Sequence, residues 1–436
     1  MAESGGEFDV VIVGAGAAGL SAAKHLASAG HTIKIVEAHA RAGGRAHTVP
    51  TGFGFAVDLG CEWLHSADIN PWVPIARHFG FTVDETLPDW GRRIAWFKGE
   101  AAQREWQAAM DAFYARLDHA VAAPDDRPAS SLLEPDGKWN ALLGAISNWA
   151  NGAEIDKVSV RDYGRYDPTY VNWRVLEGYG TLIARYGEGL PIAFDTRVER
   201  IEHDGPVVRV ITDRGTLSAR AVIVTLPTTI IAEERVKFVP ALPAKVAAAG
   251  GLPLGVVNKL FLRLDEVGAR ELTHEANRHL VGALDRVETG SYQIQPHGWP
   301  VIAGFYGGAL SAELERGGIE AFAAFATEEL VGLFGANIKA RLSPIVSSSW
   351  GLDPCARGSY SMALPGHADD RLTLAAPVDG RLFFAGEACS IAHFGTAHGA
   401  YLSGEDAARA AAAVLTPSPD RTDAAWRGAR PIPAGT

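Results

Sequence analysis

Residues 8–37, FDVVIVGAGAAGLSAAKHLASAGHTIKIVE, decide the fold. The opening Phe8-Asp9-Val10-Val11-Ile12-Val13 is a β-branched, apolar run of the kind that forms a buried strand, and it stops at Gly14. Over 17–29, Leu20, Ala23, Lys24 and Leu26 recur at helical spacing, and Gly30 follows as a C-cap. Residues 31–36 then predict a second strand that ends at Glu37. Connections this short require a parallel strand-helix-strand unit. Within Gly14-Ala15-Gly16-Ala17-Ala18-Gly19 each glycine has a mechanical task. Gly14 permits the tight turn, Gly16 lets a pyrophosphate approach the backbone, and Gly19 lets the helix pack on the strand. Ala17 and Ala18 open the helix, whose exposed N–H groups and dipole favour a diphosphate. Glu37, followed by Ala38, places a carboxylate where it can accept hydrogen bonds from a ribose diol, so the segment predicts dinucleotide binding.

The rest of the composition narrows the function. A chain of 436 residues, 47 % hydrophobic and 21 % charged, has the makeup of a globular protein, and its length exceeds one comfortable core, so two domains sharing a cleft are expected. A net charge of −11 argues against nucleic acid, which demands clustered Lys and Arg. It suits a cationic small molecule, although acidity also serves solubility alone. Cys61, Cys355 and Cys389 form no CxxC pair and have no His at zinc-site spacing, so neither a disulfide framework nor a metal is expected. Residues 1–7 lack the features of a secretory signal, and no run of about 20 apolar residues predicts a membrane span. A cytoplasmic setting without membrane attachment follows as the expectation. The oligomeric state is left open between a monomer and a homo-oligomer.

Along the chain, 90–190 is helical in character, most clearly over 103–122, and 123–135 is a loop rich in Pro, Asp and Ser. Strand signals return at 198–202, 207–212 and 221–225, then at 256–264 and 301–306. A helix is predicted over 319–334, a strand over 381–385, and an Ala-rich helix over 403–415 before a Pro-rich tail. No internal repeat is present. Arg41-Ala42-Gly43-Gly44-Arg45 reads either as a solvated basic loop or as a second cradle on the phosphate and flavin side of a longer cofactor.

At this point a family resemblance appears. Glu37-Ala38-His39-Ala40-Arg41-Ala42-Gly43-Gly44-Arg45 resembles the E-A-x-x-R-x-G-G-R signature of the flavin-containing amine oxidases. Asp58-Leu59-Gly60-Cys61-Glu62-Trp63-Leu64-His65, followed by Asn70-Pro71, is similar to a segment of the polyamine and spermine oxidase branch. Ser349-Trp350-Gly351-Leu352-Asp353-Pro354 with Gly358-Ser359-Tyr360-Ser361 resembles their W-G-x-D-P-x-x-x-G-S-Y-S. Phe383-Phe384-Ala385-Gly386-Glu387-Ala388 and the run from Thr396-Ala397-His398-Gly399 to Gly404 look like the closing flavin motif.

The resemblance implies an α/β fold: a doubly wound, Rossmann-like FAD domain from 1–90, 191–245 and 355–420, an inserted α+β substrate domain from 91–190 and 246–354, and a loose tail over 421–436. It implies that Glu37 binds the adenosine ribose, that Arg41 and Arg45 lie against diphosphate and flavin, and that Val198 meets the adenine edge. Gly60, Cys61, Glu62, Trp63, Trp350, Gly386 and Thr396 fall in motifs that border the cofactor. Glu387 would bond the ribityl chain, and Ala397 would offer its N–H to the pyrimidine end of the ring, where negative charge grows on reduction. Lys259, otherwise a rim residue, matches the lysine that holds a water at flavin N5. His65 matches a substrate-side histidine but is also readable as a satisfied core residue, and Glu62 either meets a cationic amine or braces an Arg.

Two departures stand out, one of them Cys61, which replaces a small residue next to Gly60. Where the family carries a Tyr before the closing Thr-x-H-G-A, this chain has His393-Phe394-Gly395, leaving either ring to face the flavin. The sequence around Cys389 does not resemble a thioether attachment site, so FAD is assigned as non-covalent. The implied chemistry is hydride transfer from the α-carbon of a primary or secondary amine to the flavin, hydrolysis of the imine to an aldehyde, and reoxidation by O2 with release of hydrogen peroxide. The alternatives are a same-fold oxidase, desaturase or L-amino-acid oxidase, a demethylase-like subunit, and a plain NAD dehydrogenase that would leave the C-terminal motifs unexplained.

Overall fold

Val10, Val11, Ile12 and Val13 are all buried because the strand that carries them lies inside a sheet covered on both faces. The protein's structure is a computed structural model, and it describes residues 7–88, 90 and 99–415. Successive side chains of the first strand, Glu7–Val13, point to opposite faces. Val10 and Ile12 join a core with the helices Ala17–Ser28 and Ala397–Leu415, while Val11 and Val13 pack toward Thr228–Ala232 and Pro243–Gly251. Burial on both faces is why the strand reads as an unbroken apolar run.

Among the described residues this sheet has eight strands. Ile192–Ala193, Ile33–Val36, Glu7–Val13, Gly215–Val224 and Leu382–Phe384 run parallel to one another. Gly215–Val224 also begins as the last arm of an antiparallel meander with Val198–Glu202 and Val208–Thr212, then exchanges that neighbour for Leu382–Phe384. A second, wholly antiparallel sheet has the order His279–Val281, Ser291–Ile294, Val301–Gly307, Val257–Leu264, Leu342–Ser347. Its apolar side packs on the long helix Gly308–Phe334. The fold is thus α/β, with a doubly wound parallel sheet beside helices and an antiparallel sheet.

Several elements differ from what the sequence predicts. The strand expected at 221–225 starts at Gly215, because residues 215–219 are held by pairing with Val208–Thr212 rather than by an apolar pattern. The helix expected over 319–334 starts at Gly308, but Gly318 (φ 71°, ψ −167°) interrupts it, and the half before the break, residues 308–317, carries a glycine at each end. The last helix starts at Ala397, six residues before the predicted position. The tail at 421–436 lies outside the described residues. Among the described residues no helix is long and apolar enough to cross a membrane.

Candidate active site

The first parallel unit builds one end of the site. Gly14 has φ 105°, and a Cβ there would lie 2.4 Å from Thr225 Oγ1. At Gly19 a Cβ would lie 2.0 Å from the Gly14 carbonyl, so the helix descends directly onto the turn. Gly16 differs: a Cβ there meets no protein atom nearer than 3.9 Å, and the room it would take belongs to a cavity. No side chain caps the helix that starts at Ala17, which leaves its first N–H groups for a ligand. Glu37 receives the N–H of Ala15 and of His39, each at 2.8 Å, and ties the turn to the second strand.

That cavity is continuous, has a volume of about 1200 Å3, and reaches from this turn to the antiparallel sheet. Gly14, Gly16, Ala17, Ala18, Glu37, Ala38 and Val198 line its first end. Gly43, Gly44 and Arg45 follow, then Gly60, Cys61, Glu62, Trp63, His65, Lys259, Trp350, Gly386, Glu387, Phe394, Thr396 and Ala397. Three residues expected in the site stand behind this lining. Gly19 serves helix packing, Arg41 donates to the Gly44 carbonyl at 2.8 Å and braces the loop from beneath, and His393 packs its ring on His398 at 4.8 Å. Between His393 and Phe394, therefore, it is Phe394 that reaches the cavity.

The loop over 43–46 is pinned from two sides. Gly43 donates to the Ala15 carbonyl at 2.9 Å, and a Cβ on Gly60 would lie 1.7 Å from the Arg45 carbonyl. Trp350 lies against Gly60 and donates its indole N–H to the Leu59 carbonyl at 2.9 Å. Glu387 spends its carboxylate within the protein: it receives Arg45 Nη1 (2.8 Å), Ser361 Oγ (2.7 Å), the Ser361 N–H (3.1 Å) and the Gly395 N–H (2.8 Å). Burial alone would raise its pKa, but Arg45, Arg371 and these donors outweigh that and keep it ionised. It therefore shapes the cavity by clamping Arg45 and the closing motif.

A cluster of charge sits beside the antiparallel sheet. Lys259, on Val257–Leu264, is 7 % exposed and donates to Glu62 at 2.8 Å and to the Asp58 carbonyl at 3.0 Å. Arg174 stands 3.9 Å from Glu62 and 3.3 Å from Asp84, over the Trp63 ring. Against the cost of burial, Lys259 and Arg174 hold Glu62 down at about 2, so its partners are cations of the protein itself. His65 meets Asn172 Oδ1 through Nδ1 at 2.7 Å. Asn172 gives its amide N–H to the Tyr170 carbonyl, which makes its oxygen the acceptor and the His65 Nδ1 the donor. Burial lowers the His65 pKa, so a neutral ring turns an acceptor Nε2 away from Asn172.

Beyond this cluster the cavity is walled by rings that single positions in the sequence did not announce. Trp106, Met110, Tyr114 and Leu117 form one stripe of the helix Glu100–Ala120; the spacing is that of a core face, and here the face looks into a cavity. Trp149, Tyr163, Tyr166 and Phe305 complete the wall, with Tyr166 edge-on to Phe394 at 5.5 Å. Asp111 and Asp118, from the same helix, line the cavity from exposed positions. His39, Asp353 and Cys355, the first far from the other two in the chain, converge with ligand atoms within 4.8 Å of one another; Asp353 Oδ1 is engaged there by two backbone N–H groups.

An uncapped helix start, an empty margin at Gly16 and a cavity larger than a substrate alone needs fit a dinucleotide with its flavin beside the antiparallel sheet. Comparison with known proteins agrees. The family model for flavin containing amine oxidoreductases matches residues 17–163 and 124–412. Polyamine oxidase 4 of Oryza sativa subsp. japonica is 29 % identical over 92 % of this chain and 87 % of its own length. Polyamine oxidase 2 of Arabidopsis thaliana is 29 % identical over 91 % and 86 %. A Lysine-specific histone demethylase 1 homolog of Oryza sativa subsp. japonica is also 29 % identical, but the chain spans only 51 % of it. A solved structure of a redesigned putrescine oxidase double mutant shares the fold with a TM-score of 0.74 at 17 % identity, covering 93 % of this chain and 99 % of that one. From cradle to closing motif, the chain belongs to the flavin containing amine oxidoreductase family.

Proposed function

We propose that this FAD-dependent amine oxidase acts on an elongated amine bearing more than one ammonium group, a polyamine. The observation that carries the proposal is the division of the cavity: an inner part walled by aromatic rings, and carboxylates of Asp111 and Asp118 set two turns apart on one helix. That spacing is roughly 10 Å along the helix axis, a reach that suits amines separated by several methylenes. The names of the similar plant polyamine oxidases support the same reading.

FAD, when bound, supplies the acceptor for two electrons from the amine's α C–H. The backbone of 14–18, Glu37 and Val198 would hold its ADP half, and Arg45, Gly60, Trp350 and Ala397 would border its ring. Non-covalent attachment is part of the proposal: burial, with nearby charge, pushes the thiols of Cys61 and Cys389 up to about 12, so neither is an activated nucleophile. Lys259 would fix a water beside the reacting carbon, while Trp63 and Phe394 orient the substrate and His65 Nε2 accepts from its N–H. The oxidised amine is an imine, which water hydrolyses to an aldehyde and a smaller amine, with dioxygen as final acceptor giving hydrogen peroxide. The three free thiols support a reducing, cytoplasmic setting.

The test is peroxide release by the FAD-loaded protein with putrescine, spermidine, spermine and benzylamine. In Asp111→Asn/Asp118→Asn the KM for spermidine should rise at least about fivefold while kcat and the benzylamine KM stay within about twofold. An unchanged spermidine KM would remove these carboxylates from recognition.

A further inference from the structure

Arg371 is wholly buried and, beyond helping to keep Glu387 ionised, has been given no role, yet it underlies one wall of the cavity. It sits on the short helix Asp370–Ala375 and is fixed by four groups: Asp162 takes two hydrogen bonds at 2.6 and 2.7 Å, Ser361 Oγ one at 2.8 Å, the Ala388 carbonyl one at 3.2 Å and the Ser361 carbonyl one at 3.4 Å. Its guanidinium carbon lies 4.0 Å from the centroid of the Phe394 ring. Phe394 lines the cavity and Arg371 does not, so the cation covers the side of the ring turned away from the cavity.

An aromatic face attracts cations through its quadrupole, and a guanidinium stacked on one face draws that electron density toward itself. We propose that Arg371 is a specificity-determining residue: by occupying the hidden face of Phe394, it makes this wall a poor host for an ammonium ion and leaves it open to the uncharged amine. Only an uncharged amine has the free lone pair that drives loss of an α-hydride. The wall thus rejects the protonated form in the place where that form would bind without reacting. Charges around the ring fit this role. Asp162 engages the guanidinium through its Nε and Nη2 hydrogens, along its edge, so its flat face remains on the ring, and Glu387, one step further through Ser361, is taken up by Arg45. Among the described residues Tyr166 also packs its ring against Phe394, and burial pushes its phenol up to about 12, so it brings no anion to offset the cation.

This inference rests on the reading of the cavity as the amine site. Its test compares choline, permanently charged, with its uncharged isostere 3,3-dimethylbutan-1-ol as competitors of amine turnover in the FAD-loaded enzyme. Removing Arg371 alone would strand a buried carboxylate, so the variant is Arg371→Met/Asp162→Asn, in which the Asn oxygen can still accept the Ala363 N–H. Its choline Ki should fall at least about threefold with the Ki of the alcohol unchanged; an unchanged choline Ki overturns the proposal. Phe394→Leu, with the ion pair intact, decides the matter if the double variant does not fold. The ratio of the two Ki values should then stay within about twofold of the wild-type ratio, whereas a selective loss of choline binding would show the ring to be an ordinary cation host. Should neither compound compete with the amine, the amine-site reading itself fails, and the role of Arg371 with it.

Discussion

Two single residues carry the sharpest consequences. With Arg174, Lys259 keeps Glu62 ionised inside the protein, so Lys259→Met removes both a donor and the nearer of the two charges on which Glu62 depends. Flavin reduction or reoxidation, followed by stopped-flow absorbance, should slow at least about tenfold; wild-type rates in a folded variant would exclude Lys259 from the chemistry. His398 acts on stability. Burial, then the neighbouring His393 and His65, holds its pKa at about 3 against an ordinary 6.5. Between those values the unfolded chain binds a proton that the native chain refuses, so this residue makes stability rise with pH across that window and fall as acid is added. Denaturant titrations at pH 7 and pH 5 should show His398→Asn losing less stability than wild type over that interval, by roughly 1–2 kcal/mol. Equal losses would mean that the ring takes up its proton in the native state. Lys259 and His65 were legible as candidates through a family resemblance, but Arg174, Asn172 and Arg371 were not, because a lone Arg or Asn in a sequence shows neither burial nor partner.

At the scale of elements, the contact between the first and last helices holds the dinucleotide turn in place. A Cβ on Gly404 would lie 2.2 Å from the Ala18 carbonyl, and Ser21 donates across the same contact to the Tyr401 carbonyl at 2.8 Å. Gly404→Ala should therefore lower stability by about 2–3 kcal/mol and weaken FAD retention, as thermal melts and the absorbance of bound flavin would show. Gly250→Ala is the matched control: it lies in a helix where a Cβ meets nothing within 4 Å, and it should raise stability by about 0.5–1 kcal/mol. A similar loss in both variants would mean that helix propensity, and not the crossing, sets the outcome. The crossing was invisible in the sequence. A glycine in an Ala-rich helix reads as a mild defect until the neighbour pressed against it is known.

For the whole molecule, one cavity is shared by segments that lie far apart in the chain, among them Gly16, Lys259 and Ala397. A ligand that bridges them adds its binding energy to folding, so stripping FAD should lower the melting temperature. Free FAD at about a thousand times its Kd should restore about 4 kcal/mol, and a melting temperature indifferent to FAD would contradict the shared site. By itself the sequence determined the parallel unit at 8–37, the helix at its turn and the presence of a dinucleotide, since turn geometry and apolar periodicity are local and act between residues near in the chain. Only the tertiary structure decided that Phe394 and not His393 faces the cavity, that Glu387 clamps Arg45, that Glu62 belongs to Lys259, and that the Trp106 stripe lines a chamber. Each of these depends on what stands opposite a side chain, and in a fold assembled from distant segments that partner is fixed by packing between sheets, which no local pattern encodes.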